Sequence, residues 1–396
     1  MPGALDGITV IEAGLLVQGP QAAALLSDMG ANVIKVELPN IGDQSRWIPI
    51  SAEDPRSAYF IGCNRGKQSV TVDLRVPLGA TIFKKMAETT DVVISNFQPG
   101  TLDEWGLGYE DLAAVNPRLI WAAGSTFGPV GPDARREGAD LAGQCAGGII
   151  STIGREEDPP SPIGVTIADH IASLNLVSGV LAALYSREQT GHGQRVDVSL
   201  LGGQIWAQAS EYTHYLSNGE QQGRSNFGHP LLRGLYGIFK TADNWLGLIG
   251  IPLKSREAFF AEIGRPELLE DSRLLTAAMS HETYHWIHGE LSEAFLQKTT
   301  DEWCRILNEL GVRYAPVRDY QQVVSDPGAW ENGYFAEVDD GTGRMQRVVG
   351  NPIRMSRTPL SPGAIPPELG AHTEEVLLAL GYDWDDIGSF RDEGAI

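Results

Sequence analysis

The sequence is poor in cysteine, in basic residues and in long apolar runs. Its three cysteines, Cys63, Cys145 and Cys304, lie far apart without a CxxC pair. This pattern argues against disulfides and a thiolate metal site, and it predicts a reduced, cytoplasmic protein. With 30 basic and 51 acidic residues the formal net charge is −21. Such a charge repels nucleic acid and anionic membranes at long range, but it leaves room for a small anionic ligand in a locally basic pocket.

No segment has the pattern of a signal peptide or of a membrane-spanning helix. The opening MPGALDGITVIEAG has no basic region leading into an apolar run. The longest apolar stretch, around 174–185, is short and interrupted, whereas a spanning helix needs about 20 apolar residues. We therefore expect neither a membrane nor a nucleic acid as partner.

Short β-branched segments alternate with helical ones over the first 200 residues. Strands are predicted at 7–13, 32–37, 69–74, 91–96, 119–125 and 194–200. The alternation predicts a doubly wound, Rossmann-like parallel sheet, in which ligands sit at the carboxyl ends of the strands. The nucleotide fingerprints are missing, since Gly14 and Gly19 do not form GxGxxG and no GxxxxGK[ST] occurs. A dinucleotide or P-loop enzyme is therefore not expected.

After about residue 205 the regular alternation of strand-like and helix-like segments ends. The new pattern predicts a second, smaller α+β domain. Two strands are predicted between 232 and 251, and helices near 254–263, 280–297 and 300–310. We place the large domain at 1–210, completed by 335–396, and the small domain at 211–334. The connections near 205–225 and 335–365, the latter partly proline-rich, are expected to be extended linkers.

A zinc-peptidase pattern occurs in the small domain. His281, Glu282 and His285 form a literal HExxH, which on a helix places two imidazoles on one face. The context is poor, because Ser280 precedes the motif, no GxxH follows, and Glu290 is too close to supply the usual third ligand. We interpret the motif as a surface helix and expect no metal site.

Asp169 stands where an apolar helix of small residues is predicted to begin, after the run IGVTIA. One interpretation is a helix N-cap, in which the carboxylate accepts a backbone N–H. The other is a nucleophile, because a carboxylate at a helix N-terminus is expected to stay ionised and can form a covalent intermediate. The residue type and position alone leave both open.

Seven motifs that run nearly from end to end resemble the class III (family III) CoA-transferases, and they occur in the order of that family. They include LDGITVIEAGLLVQGPQAAALLSDMGANVIKVE, NRGKQSVTVDL, ISNFQPGTLDEWGLGYEDL, ADLAGQCAGG, IADHIASLNLVSGVLAALYSREQTGHGQRVDVSL, GVRYAPVRDYQQVVSDP and LGAHTEEVLLALGYDWDDIGSF. The resemblance implies that Asp169 is the acyl-accepting nucleophile, with Gln18 beside the thioester and Asp140 beside the nucleophile.

The resemblance also implies where coenzyme A binds. The expected contacts, which serve a substrate and no permanently bound cofactor, are Gln18, Val72, Arg75, Asn96, Phe97 and Gln98. We favour phosphate contacts for some of Arg46, Arg65, Lys67 and Arg136, because an acidic protein must supply local cations for the phosphates of CoA.

Some positions depart from the family pattern. Leu38, Glu104 and Glu137 stand where some members carry basic residues, and the Gly-Gly-Gly-Gly loop of formyl-CoA transferase is absent. The α-methylacyl-CoA racemases of the same fold carry Gly-His-Asp where this chain has Gly138-Ala139-Asp140. Because Ala139 cannot move a proton, a transferase is favoured over a racemase.

We expect CoA to move from an acyl-CoA donor to a carboxylic acid through an aspartyl anhydride and an aspartyl-CoA thioester on Asp169. A non-catalytic acyl-CoA binder is an alternative, and a zinc peptidase a remote one. The resemblance further implies an interlocked homodimer in which each chain is a ring threaded by the other.

Overall fold

A computed structural model describes residues 2–221, 223–225, 228–275, 279–340 and 342–396. Its larger sheet has six parallel strands in the order β3-β2-β1-β4-β5-β6. The strands are β1 (Thr9–Ala13), β2 (Asn32–Glu37), β3 (Lys67–Thr71), β4 (Val92–Ser95), β5 (Ile120–Ser125) and β6 (Arg195–Ser199). The predicted doubly wound sheet is confirmed. Its strand order reverses between β1 and β4, the point at which such sheets bind ligands.

Helices cover both faces of this sheet. Those that precede β6 are α1 (Gln18–Asp28), α2 (Ala58–Asn64), α3 (Pro77–Ala87), α4 (Thr101–Glu104), α5 (Tyr109–Val115), α6 (Asp140–Ala146) and α7 (Ile167–Thr190), and α8 (Leu200–Ala207) follows it. Apolar residues of α1 and α7 pack on one face of the sheet. Residues of α3 and α5 pack on the other, together with the C-terminal helices α15 (Thr373–Ala379) and α16 (Trp384–Asp392).

The chain divides into two units whose boundaries differ from the predicted domains. The large unit comprises Met1–Gly148, Ile163–Ala207 and Asp326–Ile396, and the small unit comprises Ile149–Pro162 and Gln208–Ser325. Residues 149–162 thus belong with the small unit, although they lie inside the segment assigned to the large domain.

The small unit has its own antiparallel sheet and its own core. The strands β7 (Tyr236–Lys240), β8 (Trp245–Ile249) and β9 (Tyr314–Pro316) lie in that order. Its helices are α9 (Ala209–Asn218), α10 (Arg256–Glu262), α11 (His281–Phe295), α12 (Thr300–Glu309) and α13 (Tyr320–Val324). Buried aromatic residues such as Phe239, Phe295 and Trp303 fill its core.

The predicted linkers contain more regular structure than expected. Helices α8 and α9 occupy most of 205–225, and 335–365 begins with a hairpin of β10 (Phe335–Asp339) and β11 (Met345–Val349), preceded by α14 (Pro327–Glu331). Helix α8 was not predicted, because its glycines are unusual inside a helix. Gly203 has a packing role there: it lets α8 approach α7, since a Cβ at this position would lie 3.2 Å from Ile171. Gln222 and Gly341, also inside the predicted linkers, lie outside the described residues.

Helix α7 is longer than the apolar stretch identified from the sequence. With 24 residues it is, by length and composition alone, long enough to cross a membrane, so the estimate that the stretch is too short was wrong. Its buried residues, among them Leu176, Val177 and Val180, pack with α1 and the sheet. The apolar residues of α7 are therefore accommodated by packing inside the large unit.

Candidate active site

The three predicted catalytic residues lie in the first turns of three helices of the large unit. Gln18 is the first residue of α1, Asp140 is the first of α6, and Asp169 is the third of α7. Hydrogen bonds connect the three helix starts. Asp140 reaches the backbone of Asp169, and the Ser173 hydroxyl lies 2.7 Å from the carbonyl oxygen of Gln18 and 2.8 Å from that of Asp169. The sequence-predicted catalytic set is therefore one local cluster.

Asp140, and not Asp169, caps helix α7. Its Oδ1 accepts the N–H groups of Ala168 at 2.7 Å and of Asp169 at 3.2 Å. Helix α7 begins at Ile167, with Thr166 at the N-cap position and no side-chain cap bond from that residue. The N-cap interpretation of Asp169 is thus wrong, because the helix starts two residues before it.

The Asp169 carboxylate is partly buried, and no donor within the described residues hydrogen-bonds to it. Burial and, second, the Asp140 charge raise the pKa of Asp169 to about 7. The expectation that the helix N-terminus keeps this carboxylate fully ionised is therefore wrong. The first-turn N–H groups that would stabilise its charge already donate to Asp140, whose own charge opposes a second one.

The neighbouring imidazole of His170 joins α7 to α1. Its Nδ1 contacts Oε1 of Gln21, and its Nε2 lies 3.2 Å from the Thr166 hydroxyl. Because an amide oxygen only accepts, Nδ1 donates to Gln21, and Nε2 of a neutral ring can then accept from the Thr166 hydroxyl. Burial lowers the pKa of His170, consistent with that neutral form. The ring thus forms a polar contact between α7 and α1 beside Asp169, and its neutral form brings no positive charge to that carboxylate.

The Gln18 side chain lies at the carboxyl end of β5. Its Nε2 is 3.5 Å from the Ser125 carbonyl oxygen, and a Cβ on Gly124 would fall 2.3 Å from its Oε1. Glycine at position 124 therefore makes room for the amide. A groove beside it is lined by Phe97, Gln98, Gly124 and Ser125, among other residues, so the predicted Phe97-Gln98 turn reaches the strand end that Gln18 contacts.

Asn96 holds the loop that leads into Gln18. Its amide accepts from the N–H of Leu15 and donates to the carbonyl of Leu15, both at 2.8 Å. The next residue, Leu16, has a φ of 64°, a left-handed conformation that is costly for a branched side chain. Both the carbonyl oxygen and the NH2 group of the Asn96 side chain, a predicted CoA contact, thus hold this loop across the switch point of the sheet.

A buried ionic network also holds the loop between β1 and α1. The Lys35 ammonium bonds to Glu12, to Asp43 at 2.9 Å and to the Gly14 carbonyl at 3.0 Å. Lys67 bonds to Glu12 at 3.0 Å and to the Pro20 carbonyl at 2.8 Å. Burial lowers the pKa of Lys67 to about 8. These bonds place Lys67, a residue considered for CoA phosphate, inside the protein, where it orders the start of α1.

The other cations considered for CoA divide into internal and exposed groups. Arg46 forms a bidentate pair with Glu37, and Arg65 pairs with Asp28 at 2.5 Å; both are largely buried. Arg75 and Arg136 are more than half exposed, and each pairs with a neighbouring acid, Asp73 or Asp133. Val72 is buried in the core. The internal pairs order the fold, and the exposed pairs face solvent.

The HExxH residues lie on the solvent side of α11. The Nε2 atoms of His281 and His285 are 3.1 Å apart on this exposed surface. The described parts of the chain contain no group of three His, Cys, Asp or Glu side chains placed to hold a metal ion.

Comparisons with known proteins connect this geometry to a family. Residues 5–373 match the family described as CoA-transferase family III. A succinyl-CoA:glutarate CoA-transferase of Homo sapiens is 30% identical, with 99% of this chain and 90% of the human protein covered. A succinyl-CoA–D-citramalate CoA-transferase of Chloroflexus aurantiacus is 33% identical, with 98% and 97% covered. The crystal structure of a CAIB/BAIF family protein from Brucella suis has a TM-score of 0.83 at 31% identity, with 96% of this chain and all of that one covered.

The chain belongs to CoA-transferase family III. The resemblance seen in the sequence is thereby confirmed, and the protein is an enzyme of the CoA-transferase type. Its activity requires acyl-CoA as a substrate. The alternative of a non-catalytic acyl-CoA binder is not supported by this membership.

Sequence reasoning missed three residues of the candidate site. Gln144, Ser173 and His170 each hold one of the predicted catalytic residues or its helix in place. A usable signal existed for two of them, because Asp140 and Gln144, and Asp169 and Ser173, are four residues apart, a spacing that places two side chains on one face of a helix. The contact of His170 with Gln21 joins residues 149 positions apart, and helix periodicity carries no information about it.

Proposed function

We propose that the enzyme moves CoA from an acyl-CoA donor to a carboxylic acid through covalent intermediates on Asp169. The observation that carries this proposal is the Asp169 carboxylate itself. It lacks a hydrogen-bond donor among the described residues, while its backbone is fixed by Asp140 and Ser173. A carboxylate that is held in place but not engaged is suited to nucleophilic attack.

The reaction proceeds in balanced exchanges. Asp169 attacks the donor thioester carbonyl, and the CoA thiolate leaves as a mixed anhydride forms. The thiolate then attacks the aspartyl carbonyl, which releases the donor acid and leaves an aspartyl-CoA thioester. The acceptor carboxylate attacks this thioester, expels the thiolate and forms a second anhydride. Thiolate attack on the acceptor carbonyl gives the product and restores Asp169. One thioester replaces another, so the sequence uses no ATP.

Neighbouring groups assist these steps. Ser173 joins the main-chain carbonyls of Gln18 and Asp169, so the two residues are held in one cluster. The Gln18 side-chain amide, at the carboxyl end of β5, is the proposed donor to the oxyanion that develops on the thioester carbonyl. The exposed Arg75 and Arg136 are the proposed phosphate contacts, since a phosphate can replace their adjacent acids as partner. Phe97 and Gln98 line the groove beside Gln18 and are the proposed contacts for the pantetheine arm of CoA.

The names of relatives suggest the acids. Three of them are named for succinyl-CoA with glutarate, D-citramalate or mesaconate, and others for formyl-CoA with oxalate. Because this chain lacks the Gly-Gly-Gly-Gly loop of formyl-CoA transferase, we propose succinyl-CoA as donor and a dicarboxylic acid of four or five carbons as acceptor.

The proposed assembly is a homodimer in the cytoplasm. Its support is the exposed apolar surface of the large unit, where Tyr185 and Trp206 are 72% and 73% exposed in the single chain. Molar mass by light scattering tests the assembly directly.

Mass spectrometry tests the chemistry. The enzyme is incubated with succinyl-CoA and a panel of dicarboxylic acids, and the exchanged thioesters are identified. Omission of the acceptor should leave a CoA adduct that peptide mapping places on Asp169. Exchange without any adduct on Asp169, under rapid quenching, would contradict the covalent route.

A further inference from the structure

Gln144 makes three hydrogen bonds with one buried amide. It lies one helical turn after Asp140 on α6 and is 1% exposed. Its Nε2 donates to Oδ2 of Asp140 at 2.6 Å and to the carbonyl of Val165 at 3.3 Å, and its Oε1 accepts the N–H of Ile163 at 3.0 Å. The amide thus connects the acid that caps α7 with the segment that leads into α7.

The bonds of Asp140 are divided between its two oxygens. Oδ1 accepts the first-turn N–H groups of α7, and Oδ2 receives the Gln144 amide. Without that donor, Oδ2 would be a buried acceptor without a partner, and rotation of the carboxylate toward other donors would release the first turn of α7. The segment 163–165 would lose two anchors in the same change.

Close packing leaves this arrangement little freedom to adjust. A Cβ on Gly143 would lie 2.6 Å from the Cβ of Leu200 and 3.1 Å from that of Ala168. Helix α6 therefore approaches α7 and α8 through a glycine next to Gln144. Because the helices touch this closely, the amide bonds set the rotation of the acid within an already fixed frame.

We propose that Gln144 is a positioning residue for CoA transfer, which holds the Asp140 carboxylate against the first turn of α7 and thereby sets where the Asp169 carboxylate stands. The proposal rests on the covalent role of Asp169 proposed above. Gln144 acts through Asp140 and contacts neither substrate nor nucleophile in this scheme.

Two substitutions separate positioning from packing. Gln144→Met has a similar shape but removes all three hydrogen bonds. Gln144→Glu keeps an acceptor for the Ile163 N–H and places a second carboxyl group against Asp140. The titratable groups around Asp169 are Asp140 on α6, His170 on α7 and the buried Cys63 thiol on α2, whose pKa the Asp169 charge helps to raise. Gln194, which is exposed, supplies the control pair Gln194→Met and Gln194→Glu.

The experiment measures the rate at which the aspartyl-CoA adduct forms from succinyl-CoA across a pH series, together with CoA affinity and thermal unfolding. We expect Gln144→Met to slow adduct formation about 10- to 100-fold, the size of effect that a small misplacement of a reacting group produces, with CoA affinity within twofold of wild type. We expect Gln144→Glu to move the acid limb of the rate profile to higher pH, because an added negative charge favours protonated Asp169. Both control variants should match the wild type.

Each contrary result has a defined meaning. Adduct formation at the wild-type rate and pH midpoint in both Gln144 variants overturns the positioning role. A slower Gln144→Met accompanied by an unmoved pH limb in Gln144→Glu also overturns it, because packing alone then explains the loss. If Gln144→Met does not fold, the Gln144→Glu profile decides. Absence of any adduct in the wild type instead removes the covalent role of Asp169, and the positioning proposal with it.

Discussion

The Asp169 cluster and the HExxH helix are two chemically suggestive regions of the same chain, and they differ in how they are held. Asp169 is held in position by Asp140 of α6, 29 positions away, and by Ser173, which bonds to its carbonyl and to that of Gln18 on α1, 155 positions from Ser173. His281 and His285 contact each other across one turn on the solvent side of α11. The first arrangement restricts its reacting group from several directions, whereas the second is the ordinary consequence of helix periodicity.

A sequence motif forms a functional site only when the groups packed around it support the chemistry. Burial and Asp140 raise the pKa of Asp169 to about 7, and such a perturbed group in a ligand-binding region is typical of functional residues. The pKa of His285 is also lowered, by burial first and then by His281, yet this helix brings no third ligand among the described residues.

The largest expected effect comes from Asp169→Asn. The variant removes the carboxylate nucleophile, and the neighbouring Asp140 carboxylate is already engaged by the α7 N–H groups and Gln144, so turnover should fall by several orders of magnitude. CoA affinity should remain close to that of the wild type. Steady-state kinetics and calorimetric titration with CoA measure the two effects, and Asp6→Asn, at an exposed position, serves as the control. Near-normal turnover in Asp169→Asn would end the proposed mechanism.

The pH profile of the wild type should show the raised pKa. Only ionised Asp169 attacks, so kcat/KM should fall about tenfold per pH unit below a midpoint near pH 7, the value to which the pKa of Asp169 is raised. Asp140→Asn keeps an oxygen for the α7 N–H groups but removes the neighbouring charge, and its limb should move to lower pH. A wild-type midpoint near pH 4, unchanged in Asp140→Asn, would contradict the electrostatic account.

A smaller effect is expected on stability. The pKa of Asp169 is 3.8 before burial and about 7 in the fold, so the folded state binds the proton more tightly. The stability that this proton contributes is complete below about pH 4 and lost as pH rises through about 7. Asp169→Asn carries no such charge, so its advantage over the wild type in the free energy of unfolding should grow from pH 5 to pH 8. Urea denaturation at both values measures it, and an advantage that shrinks with pH would refute the sign.

The smallest expected effect belongs to the histidine pair. His281→Ala and His285→Ala should leave transfer activity within twofold of wild type, because the motif is interpreted as a surface helix. Elemental analysis of the purified enzyme should find no stoichiometric zinc. One zinc per chain that disappears in His285→Ala would reverse this interpretation and make the two regions equivalent as sites.

The sequence predicted the sheet and the family, because strand and helix patterns and conspicuous motifs are local, and its three candidate catalytic residues lie in one cluster. It did not predict the start of α7, since the residue that caps this helix, Asp140, lies 28 positions before the first N–H it accepts. It also did not separate the buried cations from the exposed ones. Lys67 and Arg75 look alike in sequence, yet one is enclosed by Glu12, Pro20 and Asn64 and the other faces solvent.

The packing of the last helices against the first strands has a consequence for synthesis on the ribosome. Leu377, Ile387 and Phe390 share a core with Val70 and Phe83, and the N–H of Asp73 donates to the carbonyl of Ala395. The first 148 residues therefore emerge without the partners that complete one face of their sheet. The inserted small unit has a core of its own and emerges whole before those partners do. We expect the nascent large unit to keep one apolar face of its sheet exposed to solvent until the final helices leave the ribosomal tunnel. Aggregation is most favourable during that interval.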